Sequence, residues 1–353
     1  MKIIADLENA GGARQCAEGS TGERRPELGH RFKVVSFFAG CGGLDLGFTG
    51  GFSYRGERFA KLPFEIERAY EIDARCKATY EQNIGPHFET CDLSTADIES
   101  MPNADVLIGG FPCQEFSICG PRRGIDSKRG SLFKAMSRYA RLKQPMVVVA
   151  ENVAHIAKLN AGADLQSIRR SFAQAGYRAY IWRMFAPDYG IPQSRDRVLL
   201  IFVRRDIDNV PVEPPKAFEG KHRSIEWAIG DLEQVGDESV PNQSQYFKAA
   251  LARSGHGQGD EISRRSEPGY TVRANAKSRV QFHYSLPRRL TVRECARLQT
   301  FPDNFVFPHA ATYNIMQIGN AVPPVLGHVV AREIEKFLTD TLEVNARLKK
   351  KGR

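Results

Sequence analysis

Four stretches of this chain are apolar at nearly every position rather than at alternate ones: Val34–Phe38, Val106–Ile108, Met146–Ala150 and Val198–Val203. A strand with one wet face alternates, so runs like these belong to a sheet buried on both sides by helices. The intervening sequence supplies those helices. Helical spacing runs from Ala74 through Tyr80 and from Leu132 through Leu142, and Leu165, Ile168 and Phe172 place one apolar face on a further helix. Further strands are expected to end at Ala69-Tyr70, to lie around Phe88 and to cover Ala179–Phe185. The expected fold class is α/β, a Rossmann-like sheet with helices on both faces.

Each buried run leads into, or out of, a chemically unusual segment. The first opens into Ala39-Gly40-Cys41-Gly42-Gly43-Leu44, a turn that lets backbone amides approach a ligand closely. The dinucleotide fingerprint does not fit, because Asp45 fills its third glycine position. The next two strands deliver Glu71-Ile72-Asp73 and Cys91-Asp92 to the same carboxyl edge, where an acid can accept bonds from ribose hydroxyls. Together these describe a nucleoside site. The second run enters Gly109-Gly110-Phe111-Pro112-Cys113-Gln114, where the proline pins the backbone beside a thiol. The third ends in Glu151-Asn152-Val153. The fourth is preceded by Gln193, Arg195 and Arg197, which point the same way on an extended chain, so that two guanidiniums can reach one site.

The rest of the chain sets boundaries. Residues 1–31 lack apolar periodicity and read as a flexible arm, 32–204 as the large lobe, and 205–287 as a smaller irregular domain broken by Pro211, Pro214, Pro215 and Ser254–Gly259. Residues 288–341 return to the large lobe, opening with a capping-box pattern at Thr291 and Glu294 and ending in an amphipathic helix through Leu326, Val330, Ile334 and Phe337. Residues 342–353 read as a basic tail. In 353 residues with a net charge of +9, the balance favours a polyanionic partner, which composition leaves open among nucleic acid, phosphate metabolite and membrane surface. No apolar run approaches the roughly 20 residues that span a bilayer, and the N-terminus lacks a secretory leader, so a cytoplasmic protein with no membrane partner and reduced thiols is expected. The basic, glycine-punctuated segment Ser117–Arg129, with Arg122 and Arg123, reads as a lid that meets phosphates.

From Lys33 to Phe337 the chain resembles the DNA cytosine-5 methyltransferase family, through Phe38–Gly43, Phe111–Gln114, Glu151–Val153, Gln193–Arg197 and Gly319-Asn320-Ala321-Val322-Pro323-Pro324, in the family's order. The resemblance implies a bacterial or phage enzyme, of the restriction-modification type, acting as a monomer on double-stranded DNA with S-adenosyl-L-methionine. It implies Cys113 as nucleophile, Glu151 as partner of the cytosine edge, and Arg195 and Arg197 as clamps on base and phosphate. Phe38, Glu71, Asp92 and Asn320 then surround the cofactor. Gly40, Gly42, Gly43, Leu44, Ile72, Pro112 and Val322 are added as its expected neighbours, and the irregular domain becomes the target-recognition domain. Ser117, Arg122, Arg123, Gln193, Arg273 and Arg279 are the expected DNA contacts. Two rivals are weighed. A zinc cytosine deaminase would place a second cysteine three residues after the first, whereas here the next is Cys119. An RNA methyltransferase of similar architecture would share these motifs.

Overall fold

The buried runs form one sheet, because each can hide both faces only beside another like it. In the computed structural model, residues 30–111, 132–248, 261–274 and 280–351 are described. The strands in chain order are β1 (Phe32–Phe37), β2 (Phe52–Tyr54), β3 (Glu57–Phe59), β4 (Phe64–Glu71), β5 (Phe88–Thr90), β6 (Val106–Gly109), β7 (Val147–Val153), β8 (Tyr177–Phe185), β9 (Gln193–Ser194), β10 (Asp196–Arg204) and β11 (Gly269–Tyr270). The helices are α1 (Gly43–Thr49), α2 (Cys76–Asn83), α3 (Phe133–Lys143), α4 (Ala163–Gln174), α5 (Ile225–Ile229), α6 (Val292–Leu298), α7 (Ala311–Asn320) and α8 (Pro324–Lys351).

Seven strands pair in the order β5-β4-β1-β6-β7-β10-β8. All neighbours are parallel except β10, which runs antiparallel between β7 and β8. Chain order reverses beside β1, where β4 and β5 lie on one side and β6 and β7 on the other. Such a switch point opens a crevice at the carboxyl ends of the strands. The antiparallel β10 matters for the same edge: it begins where β7 ends, with Arg197 opposite Val153 and Leu199 opposite Glu151.

Alternate residues of each strand feed two cores. Val34, Ile108, Val149, Leu199 and Ile201 face Leu44, Phe48, Leu326, Val330 and Ile334 of α1 and α8. Val35, Leu107, Val148, Leu200 and Phe202 face Met136, Tyr139, Ile168 and Phe172 of α3 and α4. The two helices on the first face nearly touch backbone to backbone, since a Cβ at Gly47 would stand 2.7 Å from the Gly327 Cα. The expected closing helix is therefore α8, and it continues without a break to Lys351, through much of the stretch read as a separate tail.

A third core joins Ile225, Ile229 and Leu232 to Leu290, Cys295, Leu298, Phe301, Ile315 and Ile318. The boundary drawn at residue 287 runs through this core, and the return to the large sheet begins only at α8. The capping box forms as its spacing predicts: Glu294 N donates to Thr291 Oγ1 at 3.0 Å, and Thr291 N to Glu294 Oε2 at 2.9 Å. The β2–β3 hairpin has no counterpart among the expected strands. Its turn is Arg55-Gly56, with φ of 49° and 79°, the paired positive values of a type I′ connection. Among the described residues no helix is long and apolar enough to cross a membrane.

Candidate active site

The carboxyl edge of the sheet holds a cavity of about 640 Å³, within the range of small-molecule sites. Its walls come from the β1–α1 turn, the ends of β4, β5, β6 and β7, the start of β10, and the turn between α7 and α8.

The β1–α1 turn is shaped by backbone angles that few residues tolerate. Phe38, Gly40 and Gly42 have φ of 56°, 54° and 87°, and Phe38 is a non-glycine in the left-handed region, a form of strain that collects at ligand sites. At Gly43 the constraint is space, because a Cβ would lie 2.4 Å from the Val322 carbonyl oxygen. That approach brings the C-terminal turn, with Asn320 exposed and Val322 buried, against the glycine loop. Leu44 is buried beside them.

Glu71 is the acid expected to receive a ribose. In the structure its Oε1 accepts from Ile72 N (2.9 Å) and Asp73 N (3.1 Å), and its Oε2 accepts from Gly40 N (3.1 Å). One lone pair on Oε2 remains for a ligand. Burial pushes this carboxyl upward, and the three backbone donors oppose the shift. Asp92, exposed at the end of β5, accepts from Ser94 N and Oγ at 2.9 and 2.6 Å. Ile72 lines the cavity 64% exposed, an apolar side chain with no protein to cover it.

Across the cavity stands the acid–arginine pair. Arg197 Nε lies 2.7 Å from Glu151 Oε1, and both side chains are nearly buried, at 13% and 11% exposure. The N–H is not aimed along a lone pair, so Oε1 is buried without a well-formed hydrogen bond. Next to it, Asn152 Nδ2 donates to the Phe111 carbonyl at 3.1 Å. This ties the end of β7 to the strand end that precedes Pro112-Cys113. Gly110 allows the approach, since a Cβ there would sit 3.2 Å from Glu151 Oε2.

Two members of the expected trio do different jobs. Gln193 is fully buried: its Nε2 donates to the Leu298 carbonyl (3.0 Å) and to Gln299 Oε1 (2.6 Å), and its Oε1 accepts from Val272 N (2.9 Å). It is no DNA contact in this structure, because its amide is committed to the packing of β9 on the third core. Arg195 is 2% exposed and donates to the carbonyls of Val272, Gly319 and Ala321 at 3.4, 3.3 and 3.0 Å. It borders the cavity as a strut that holds the α7–α8 turn, and burial, with the Arg197 charge next, pulls its pKa well down. Only Arg197 of the three reaches the acid. The reason is that β9 is drawn into parallel pairing with β11, which sinks the first half of the segment.

Arg273 is half-buried, and its backbone lies where a Cβ at Gly319 would fall, 2.3 Å away. Pro112, Cys113, Ser117, Arg122, Arg123 and Arg279 lie outside the described residues.

Asp45, which in the sequence only spoils a dinucleotide fingerprint, borders the cavity fully buried. Its Oδ1 accepts from Ser36 Oγ (2.7 Å) and its Oδ2 from Tyr80 OH (2.6 Å). Burial raises its pKa to about 6, against the two hydroxyl bonds. An acid raised in the fold binds its proton more tightly there than in the unfolded chain. Its contribution to stability therefore falls as pH rises from about 4 to about 6, by roughly 3 kcal/mol, and stays lower above. Chemical unfolding of wild type and Asp45→Asn at pH 4.5 and 7.5 checks this. The variant is expected to gain on wild type at the higher pH, and parallel pH dependences would contradict the assignment.

Similarity to known proteins agrees with this geometry. Residues 32–336 match the family described as C-5 cytosine-specific DNA methylase. The chain is 31% identical over 352 residues to the Type II methyltransferase M.FnuDI of Fusobacterium nucleatum, covering 90% of this chain and 98% of that one. It is 32% identical over 348 residues to the Type II methyltransferase M.NgoPII of Neisseria gonorrhoeae, covering 89% and 98%. The Entamoeba histolytica methyltransferase EhMeth shares the fold with a TM-score of 0.67 at 16% identity, over 89% of this chain and 99% of that structure.

Proposed function

This chain belongs to the C-5 cytosine-specific DNA methylase family, and from that premise we propose that it methylates cytosine in one duplex sequence through a covalent adduct at Cys113. The observation that carries the reading is the Glu151–Arg197 pair at the cavity wall, tied by Asn152 to the strand end that leads into Pro112-Cys113.

The residues of the cavity suit S-adenosylmethionine. A glycine turn leaves open space at Gly40, Glu71 keeps one free lone pair, and Ile72 offers an apolar surface for a flat base. The cofactor, when bound, supplies a methyl group on a positively charged sulfur. Glu71 holds the ribose, and Asp92 and Ile72 flank the adenine end. Phe38, Leu44, Asn320 and Val322 enclose the rest.

Carbon 5 of cytosine is too weak a nucleophile to react unaided. The Cys113 thiolate adds to carbon 6, and Glu151 hydrogen-bonds ring nitrogen 3, where the charge from that addition collects. Arg197 keeps Glu151 oriented and can reach the base or its phosphate from the same edge. Carbon 5 then takes the methyl group, loses its proton to a base, and the electrons of that C–H bond expel the Cys113 sulfur. Because the attacked atoms lie within the helical stack, the base is flipped out, at a cost of about a few kcal/mol. The small lobe reads the sequence, with the Ser117–Arg129 segment, Arg273 and Arg279 as the DNA-facing candidates. In the cell the enzyme marks host DNA as one half of a restriction-modification pair.

The test offers labelled S-adenosylmethionine with duplex DNA and with tRNA side by side. Label is expected at carbon 5 of cytosine in duplex DNA, within one short sequence. Label confined to tRNA would overturn the reading in favour of an RNA substrate.

A further inference from the structure

Gln317 is the one buried carboxamide among the described residues with no partner at all. It is 3% exposed on α7, and neither its Oε1 nor its Nε2 has a hydrogen bond. Its neighbours behave normally. Gln299 Nε2 donates to the Ile318 and Ala321 carbonyls at 2.8 Å each, and Asn314 and Gln193 are likewise bonded. Buried polar groups are bonded in the great majority of cases, so an orphaned donor and acceptor in one side chain asks for an external partner.

The place of the side chain identifies that partner. Gln317 borders the same cavity as Phe38, Gly40 and Glu71. Its own backbone is held, because the Gln317 carbonyl accepts from Ala321 N at 3.1 Å and from Cys41 Sγ at 3.7 Å. That second contact presses it against the glycine turn, on the wall opposite the ends of β4 and β5 where Ile72 and Asp92 stand.

We propose that Gln317 is a cofactor-binding residue whose carboxamide hydrogen-bonds the α-amino-carboxylate end of S-adenosylmethionine. That end of the molecule presents an ammonium donor and a carboxylate acceptor side by side, which matches one carbonyl oxygen and one NH₂ group. Glu71 and the β4–β5 side are occupied by the nucleoside half, which leaves the amino-acid half for the α7 side. The inference rests on the reading of this cavity as the cofactor site.

The test measures binding by calorimetry to wild type and Gln317→Leu, using S-adenosylhomocysteine and methylthioadenosine, which lacks the amino-acid end. The variant is expected to bind S-adenosylhomocysteine about tenfold or more weakly, because bonds to charged groups are lost. Methylthioadenosine affinity should be unchanged. Removing an unpaired buried amide should also leave the ligand-free Tm equal or higher, whereas a structural role for Gln317 would lower it. Unchanged S-adenosylhomocysteine binding, equal losses for both ligands, or a lowered ligand-free Tm would each overturn the proposal. A wild type that binds neither ligand would overturn the cofactor reading itself.

Discussion

Cys113→Ser is expected to lower methyl transfer to duplex DNA by at least about 10⁴-fold, to background, while S-adenosylhomocysteine still binds within about twofold of wild type. A serine hydroxyl is far less ionised than a thiol near neutrality, so addition to carbon 6 fails and carbon 5 never becomes nucleophilic. The wild type, given cofactor and a duplex with 5-fluorocytosine at the target, should form a complex that survives denaturing electrophoresis. Fluorine cannot leave as a proton does, so the sulfur cannot be expelled. The serine variant should form none. A wild type that gives no such complex on its established target would sink the covalent mechanism. A variant that loses turnover and cofactor binding together would show a structural thiol instead.

The second large effect is expected at Glu151. Replacement by Gln keeps shape and one acceptor but removes both the charge that balances Arg197 and the proton-sharing group at ring nitrogen 3. The rate of methyl transfer at saturating DNA should fall about 10²- to 10⁴-fold, the range for loss of a positioned acid or a charge stabiliser. Stability should fall too, because Arg197 is only 13% exposed and would lose its ion-pair partner. Cofactor binding should survive, since none of the Glu71 and Gly40 contacts involve this residue. Rapid-quench rates with labelled cofactor separate the two effects, provided the variant is shown folded at the assay temperature. A rate within about threefold of wild type would remove Glu151 from the chemistry and leave it as the counter-ion of Arg197.

Much of the scaffold is legible in the sequence because it depends on local pattern. The run Val34–Phe38 announces β1, and Met146–Ala150 announces β7 to within a few residues, since burial on both faces demands unbroken apolar sequence. The capping box at Thr291 is equally local, three residues apart. The hairpin at Arg55-Gly56 escapes notice because its strands are three residues each, too short for a period to register. The domain boundary at 287 fails for a different reason. The third core is assembled from Ile225 and Leu298, which lie far apart in the chain, and no composition shift marks that union.

Sequence alone determined that an α/β sheet would carry a glycine turn, two acids and an acid–arginine pair to one edge, because strand order and side-chain type are written in short stretches. Tertiary structure decided which of them are available there. Pairing of β9 with β11 buried Gln193 and Arg195 and left Arg197 beside Glu151. Backbone donors from its own turn and from Gly40 took three of the lone pairs of Glu71, and Gln317 was left in the cavity wall with none of its own bonds made. Hydrogen-bond partners a hundred or more residues away have no periodicity to betray them, so satisfaction and exposure emerge only when the sheet, the small lobe and α7 are brought together.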